Sequence, residues 1–327
     1  MSQRQTSQLY DKKEAVSFYE DRYAQGYMED WPEEKKQRIF DIVRGLPLPE
    51  TGSALDFGCG NGVLTEVVRQ ALPPKWTMHG TDLSEIATGN AARKYPQCVF
   101  FVAEEDRFCG NKFDLIFTHH VLEHVYSLPE VVGQMNGLLN PSAAMLHVLP
   151  CGNAGSFEHD LCRLRADGIA TDLEGRFFFE EEGHVRRLTT EQLSALLDGV
   201  GFRLSREYYS NQYHGAIDWI TQSGTGFVRM LTDSSAAVDG RAKAKLRRLR
   251  GKLMGLSAAR RLSAAVDGRL RKSKRSRRDH AVLLLGLPGY VVAKPLDLLL
   301  KKRARQEWQA RNRDPNGSEM YLFFERP

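Results

Sequence analysis

The chain has no apolar run near its N-terminus, where Ser, Gln, Arg and Lys dominate, so no signal peptide is expected. Its five cysteines (Cys59, Cys98, Cys109, Cys151 and Cys162) are scattered, odd in number and never spaced C-x-x-C. That pattern excludes a disulfide framework or a cysteine zinc site, and it suits free thiols in a reducing cytoplasm. The apolar stretch Ala281–Ala293 is only thirteen residues long and contains Gly286, Pro288 and Gly289. As a run it falls short of the roughly 20 residues needed to cross a bilayer. Aromatic residues are missing between Arg241 and Arg278, although sixteen Lys and Arg stand there against the single acid Asp267. Proteins that stack bases interleave aromatics with their cations, so nucleic acid is the less favoured partner of this stretch.

The rest is ordinary for a globular protein. The 327 residues are 42% hydrophobic, enough for one large α/β domain or a core plus a smaller unit. The net charge of +5 hides an asymmetry, because the basic stretch alone carries +15 and leaves −10 on the remainder. An anionic partner is therefore expected for the segment, not for the whole protein.

Residues 1–46 read as helical, with Phe18, Tyr19 and Tyr23 as anchors and Ile39, Ile42, Val43 and Leu46 as a helical stripe. Pro47, Pro49 and Gly52 break that pattern. Short strands and helices then alternate. Ala54–Phe57, Trp76–Gly80, Val99–Val102, Phe113–Thr118 and Ala144–Leu149 read as strands. Val63–Ala71, Ser84–Lys94 and Leu128–Leu139 read as helices between them. Such alternation predicts a parallel sheet covered by helices. After Pro150 the rhythm stops for nearly forty residues, then resumes with helix Thr189–Val200 and strand Phe202–Tyr209. Residues 211–318 look foreign to a sheet, and Glu319–Glu325 reads as a last strand. Within that insertion the heptapeptide SAAVDGR occurs twice, at Ser235–Arg241 and Ser263–Arg269, which suggests a duplicated piece of helix or a chance likeness.

The run Asp56-Phe57-Gly58-Cys59-Gly60-Asn61-Gly62 follows a predicted strand and opens a predicted helix. Glycines there permit positive φ and leave no Cβ between backbone and ligand. Asp82 ends the next strand, where a carboxylate can accept two hydrogen bonds from a ribose diol. A dinucleotide fingerprint would need Gly or Ala at position 63, and Val63 stands there instead. The pattern resembles the first motif of the class I S-adenosylmethionine-dependent methyltransferases. Phe113-Asp114-Leu115-Ile116 with Val121-Leu122-Glu123-His124-Val125 is similar to the fourth-strand motif of their quinone, sterol and small-molecule O-methyltransferase branch. Leu138-Leu139-Asn140-Pro141 resembles the branch's turn before the fifth strand, departing from it at Asn140, Ser142 and Ala143. Gly183-His184-Val185 and Gly201-Phe202 also match.

The resemblance implies a Rossmann-like seven-stranded, mostly parallel sheet in three layers, with a helical insertion before an antiparallel last strand. It implies S-adenosylmethionine as cofactor, with Asp56 as the acid preceding the loop. Gly58, Gly60 and Gly62 would lie along the methionyl part, Asp82 at the ribose and Leu83 on the adenine. Glu104 or Glu105 would face the adenine amino group. The implied organisation is a helical segment at 1–46, a core at 47–210 with a substrate-side insertion at 151–188, a basic and apolar helical insertion at 211–318, and a core strand at 319–327.

A sulfonium methyl is already activated, so a base is needed only for a weak nucleophile such as a hydroxyl. His119 is a candidate base at the end of the fourth strand, beside His120, and His184 is the alternate. His124 reads more readily as a packed helix-start residue, and adjacent His159 and Asp160 diverge too much for a metal pair. No metal is expected. The expected acceptor is an oxygen of a small or lipid-linked molecule, with an RNA acceptor or a non-catalytic adaptor as the alternatives. Leu246, Leu249, Leu253 and Leu256 fall at helical spacing within the basic stretch. Together with the nearby apolar run they suggest that residues 241–305 meet an anionic membrane surface, making the protein cytoplasmic and peripheral.

Overall fold

A computed structural model describes residues 20–26, 29–103, 112–181, 183–274 and 276–327. Phe18, Tyr19, Glu104, Glu105 and Cys109 lie outside the described residues. The chain divides into two compact units. The first comprises residues 1–149, 191–207 and 321–327; the second comprises 150–190 and 208–320.

Among the described residues the first unit opens with helical residues 20–24, followed by α1 (Glu33–Arg44). There follow β1 (Thr51–Phe57), α2 (Val63–Ala71), β2 (Lys75–Asp82), α3 (Glu85–Lys94) and β3 (Val99–Val102). After these come β4 (Phe113–His119), α4 (Leu128–Gly137) and β5 (Leu139–Pro150). Local chemistry explains several boundaries. Ile39, Ile42 and Val43 bury one face of α1, with Glu33 and Glu34 in its first turn and Arg44 in its last, as the helix dipole favours. Ser84 caps α3 by accepting from Ala87 N at 3.0 Å.

β5 starts at Leu139, five residues before the expected Ala144, and α4 stops at Gly137. Asn140, Pro141 and Ser142 therefore belong to an extended strand and not to a turn. Phe113 pairs with Leu139 and Leu115 with Ala144, so the extra residues are absorbed as a bulge. Asn140 Nδ2 donates to Asp114 Oδ1 at 2.7 Å within that irregular stretch.

The second unit contributes α5 (Phe157–Cys162) and a small antiparallel hairpin, β6 (Ile169–Ala170) with β7 (Arg176–Phe177). α6 (Thr190–Asp198) and most of β8 (Arg203–Ser210) belong to the first unit, and the rest of the second is helical: α7 (His214–Gln222), α8 (Thr225–Leu231), α9 (Gly240–Leu270) and α10 (Arg277–Arg311). The last strand is β9 (Glu319–Glu325). The unit's core joins Phe157 and Leu161 of α5, Ile217 and Ile220 of α7, Val228 of α8, Leu253 of α9 and Leu300 of α10.

Seven strands form one sheet in the order β3-β2-β1-β4-β5-β9-β8. The pairs β1–β2, β2–β3, β1–β4 and β4–β5 are parallel. This is the expected Rossmann-like, mostly parallel sheet with flanking helices. Because these strands run together, the ends of β1, β2 and β4 share one edge, which is where open α/β sheets bind ligands.

Two expectations for the insertion need correcting. The thirteen-residue apolar run, too short by itself to cross a bilayer, is part of one 35-residue helix, α10, with Pro288 and Pro295 inside it. An 18-residue window of that helix has a mean hydropathy of 1.6 and is 11% buried, so by length and composition it could cross a membrane. The repeated heptapeptide is not a repeated structure. Its first copy is a 3₁₀ turn leading to Asp239, which caps α9 by accepting from Ala242 N at 2.7 Å. Its second copy lies inside α9, where Asp267 accepts from Tyr290 Oη at 2.6 Å and from Lys294 Nζ at 2.5 Å.

Candidate active site

The glycine loop follows β1 directly. Gly58, Gly60 and Gly62 have φ of 84°, 50° and 75°, in the left-handed region that glycine occupies without strain. Packing fixes these positions as firmly as conformation does. A Cβ on Gly58 would lie 2.4 Å from Val121 Cγ2, and one on Gly62 would lie 2.9 Å from both Ala91 Cβ and Phe100 Cζ. Gly60 meets Tyr23, whose hydroxyl would stand 2.9 Å from an added Cβ. Gly80, which sequence reasoning passed over, lets Phe100 lie against β2: a Cβ there would be 2.7 Å from the ring.

Asp82 is brought to the loop. Its Oδ2 accepts from Gly60 N at 2.9 Å and its Oδ1 from Ser84 N at 3.0 Å. The carboxylate thus ties the loop to the start of α3. Gly58 N and Cys59 N both donate to Thr81 O, at 2.8 and 2.9 Å. Burial pushes the Asp82 carboxyl above its usual range, backbone N–H groups of Ser84, Gly60 and Leu83 pull it back, and Glu20 pushes it up again. Leu83 is half-buried beside it. Asp56 is buried one layer deeper and accepts from Thr65 Oγ1 at 2.6 Å. Burial pushes its carboxyl up to about 7, against the Thr65 bond and with the help of Asp82's charge. Asp56 therefore ties the end of β1 to α2 through Thr65.

At the end of β4 the two histidines gather residues that no local pattern announced. His119 is buried and His120 adopts φ of 54°, a strained value for a non-glycine residue. The Trp31 ring meets the His119 ring edge-on, with centroids 4.6 Å apart, and Lys35 Nζ lies 4.7 Å from the Trp31 ring centroid. Lys35 Nζ stands 3.3 Å from His119 Nε2 and 3.5 Å from His120 Nε2. An ammonium only donates, so those ring nitrogens face it as acceptors. On the other side of its ring, His120 Nδ1 is 2.9 Å from Oε1 of the buried Glu123. Lys35 comes from the first turn of α1 and Trp31 from just before it, more than eighty residues away in sequence, so only the topology could reveal them.

His184, the other candidate base, belongs to the second unit. Its Nδ1 lies 3.7 Å from Glu180 Oε1 and its Nε2 lies 3.6 Å from Glu181 Oε1. Glu180 is also ion-paired to the buried Arg187, which donates to Cys151 O at 2.7 Å and Ser318 O at 2.8 Å and approaches Glu158 Oε2 at 3.4 Å. Burial alone would raise the Glu180 carboxyl, but Arg187 and His184 more than reverse this and hold it low. Sequence reasoning missed this charged hub, whose members are spread from Cys151 to Ser318. His159 Nδ1 faces Gly155 N at 3.4 Å and Asp160 Oδ1 at 3.7 Å.

A trans-aconitate 2-methyltransferase of Variovorax paradoxus (strain S110) is 25% identical over 122 residues, 37% of this chain and 47% of that enzyme. The match thus spans about half the length of the curated relative. Among solved structures, magnesium protoporphyrin IX methyltransferase from Synechocystis PCC 6803, with bound S-adenosylhomocysteine, gives a TM-score of 0.46 at 19% identity. That alignment covers 62% of this chain and 95% of the other. An O-methyltransferase family protein from Burkholderia thailandensis also gives 0.46, at 17% identity, covering 63% and 61% of the two chains. Residues 24–207, more than half of the chain, match the methyltransferase-domain family, and the chain therefore belongs to it.

Proposed function

We propose that this methyltransferase acts on an oxygen of a small or lipid-linked acceptor, in the cytoplasm at a membrane's inner face. We assign Gly58, Gly60 and Gly62 to the methionyl side of the cofactor, Asp82 to its ribose and Leu83 to its adenine, with Asp56 supporting the loop from below. The residues fit that ligand. Three glycines at positive φ let the backbone turn between β1 and α2, and a carboxyl raised by burial gains from hydroxyl donors. When bound, S-adenosylmethionine supplies a methyl group already activated by its sulfonium.

What the protein must add is placement and, for a hydroxyl acceptor, proton removal. The observation that carries the reading is the His120–Glu123 pair, 2.9 Å apart in the unit that holds the glycine loop. A carboxylate at Nδ1 keeps the proton there and leaves the Nε2 lone pair to accept another. An acceptor hydroxyl would take the place of Lys35 as the donor to that nitrogen. His119 stays the sequence-derived candidate base beside it, and His184 the candidate in the second unit.

The test combines methyl-labelled cofactor with lipid and aqueous cell extracts, followed by His119→Ala, His120→Ala and His184→Ala on the acceptor found. Base catalysis predicts a loss of about a hundredfold or more in one of them with cofactor binding intact. Full turnover in all three would leave placement alone as the mechanism, and label appearing in RNA would replace the acceptor class.

A further inference from the structure

The outward side of α10 is a row of bare aliphatic side chains. Leu284, Leu285, Val291 and Val292 are 76%, 82%, 70% and 65% exposed, and Leu298 and Leu299 are each 49% exposed. Buried positions on the same helix recur at Asp279, Leu283, Gly286, Ala293, Asp297, Leu300 and Ala304, a single helical face. The exposed positions occupy the opposite face, and from residue 284 to 299 that face runs about 22 Å. Soluble monomers rarely expose contiguous apolar patches larger than a few hundred Å².

Charge stands at both ends of this row. Arg271, Lys272, Lys274, Arg277 and Arg278 precede it and are exposed; Lys302, Arg303 and Arg305 follow it and are exposed. Such an arrangement, with an apolar centre and cationic ends on stems that can snorkel, matches an anionic bilayer surface.

The inner face of α10 decides between lying on the bilayer and crossing it. That face is clamped to α9 along its length. Added Cβ atoms on Gly286 and Gly289 would lie 3.1 Å from Val266 Cγ2 and 2.8 Å from Leu262 Cδ2. Asp267 of α9 holds Tyr290 and Lys294, while Arg260 Nε pairs with Asp297 at 3.1 Å. Asp279 at the start of α10 pairs with Lys272 at 2.9 Å. A crossing α10 would have to shed these partners or drag the cation-rich α9 into hydrocarbon, where each Lys or Arg is costly.

We infer that α9 and α10 form a monotopic membrane-docking hairpin that lays the Leu284–Leu299 face into the headgroup–acyl boundary of an anionic leaflet. This deepens the proposed membrane location but does not depend on the identity of the acceptor.

The experiment is flotation of the full chain with vesicles of phosphatidylcholine alone or with a third phosphatidylglycerol. The intact protein floats with the anionic vesicles at low salt and is released at high salt. Leu285→Gln with Val292→Gln, at exposed positions that hold up no core, lowers partition about tenfold or more. Arg277→Gln, Arg278→Gln and Lys302→Gln each lower it up to about fivefold. Thermal melting and S-adenosylhomocysteine binding stay at the parental values in all of these, so a failure of docking is separable from a failure of the methyltransferase assignment. Protein that remains unfloated with anionic vesicles at low salt overturns the proposal. So does undiminished flotation of the Leu285/Val292 variant, which would make the contact purely ionic. A dimer that this variant dissociates would assign the face to a second copy, and that too overturns it.

Discussion

Asp82→Asn is the sharpest test of the cofactor assignment, because the structure fixes what the change removes. Both carboxylate oxygens already accept backbone N–H groups, from Gly60 at 2.9 Å and from Ser84 at 3.0 Å. Asparagine keeps one oxygen and turns the other into an NH₂ donor aimed at a donor. One hydrogen bond to a charged group is lost, worth about 1.5–3 kcal/mol. Relief of the buried charge, seen in the raised carboxyl, returns part of this, so the unliganded protein should melt only a few degrees lower. Binding has less compensation. Ribose hydroxyls need the remaining lone pairs, and S-adenosylhomocysteine affinity should fall about ten- to a hundredfold by calorimetry. NAD should bind neither protein. A ligand cycle separates contact from loop ordering: with a 2′-deoxy analogue, the penalty of Asp82→Asn should shrink, since the partner hydroxyl is gone. Equal affinity of the parent and Asp82→Asn for S-adenosylhomocysteine would refute the role of Asp82, and an unchanged penalty with the deoxy analogue would reduce that role to holding the loop.

Three further outcomes follow from buried titrating groups and the histidine pair. Asp56 titrates near 7 in the folded chain against 3.8 when exposed, so the folded state holds the extra proton between these values and stability falls as pH rises through that window, by about 1.4 kcal/mol per unit. Thr65→Val removes the donor to the ionised form and should cost about 1–3 kcal/mol at pH 8 but less at pH 5, measured by urea unfolding. His147 is buried and pushed down to about 3 from 6.5 by burial, so its contribution has the opposite sign: stability is lost as pH falls from 6.5 towards 3. His147→Gln should flatten that acid limb, and an unchanged limb would assign it to other groups. Glu123→Gln should move the acidic limb of the rate profile and spare cofactor affinity, whereas a merely structural role would lower the rate equally at every pH.

The sheet was legible because its signals are local. Val63–Ala71, Val99–Val102 and Glu319–Glu325 were bounded correctly from apolar runs and turn residues alone, and the glycine spacing separated one cofactor class from another. The His119 cluster was only half legible. Two histidines at a strand end could be read directly, and Glu123 lies three residues after His120, but the Trp31 and Lys35 contacts exist because the end of β4 and the chain around the start of α1 meet in space. Asn140 and Pro141 misled because their likeness to the branch's motif implied a turn, while the bulge beside Phe113 lets both residues continue a strand.

The long helix α10 shows why residue type must be read with its neighbour. Gly286, Pro288, Gly289 and Pro295 are helix breakers in isolation, and each interior proline costs about 3 kcal/mol or more. Here the two glycines face α9, where Leu262 and Val266 leave no space for a Cβ. The two prolines are seven residues apart and exposed, on the face away from α9, so neither ring interrupts the α9 contact. The same dependence governs the repeated heptapeptide. Val238 is 53% exposed in one copy and Val266 is fully buried in the other, while Asp239 caps a helix and Asp267 clamps two. Seven identical residues carry the same propensity. What differs is whether α10 passes alongside, and in the second copy its Tyr290 and Lys294 give Asp267 partners that hold the segment helical.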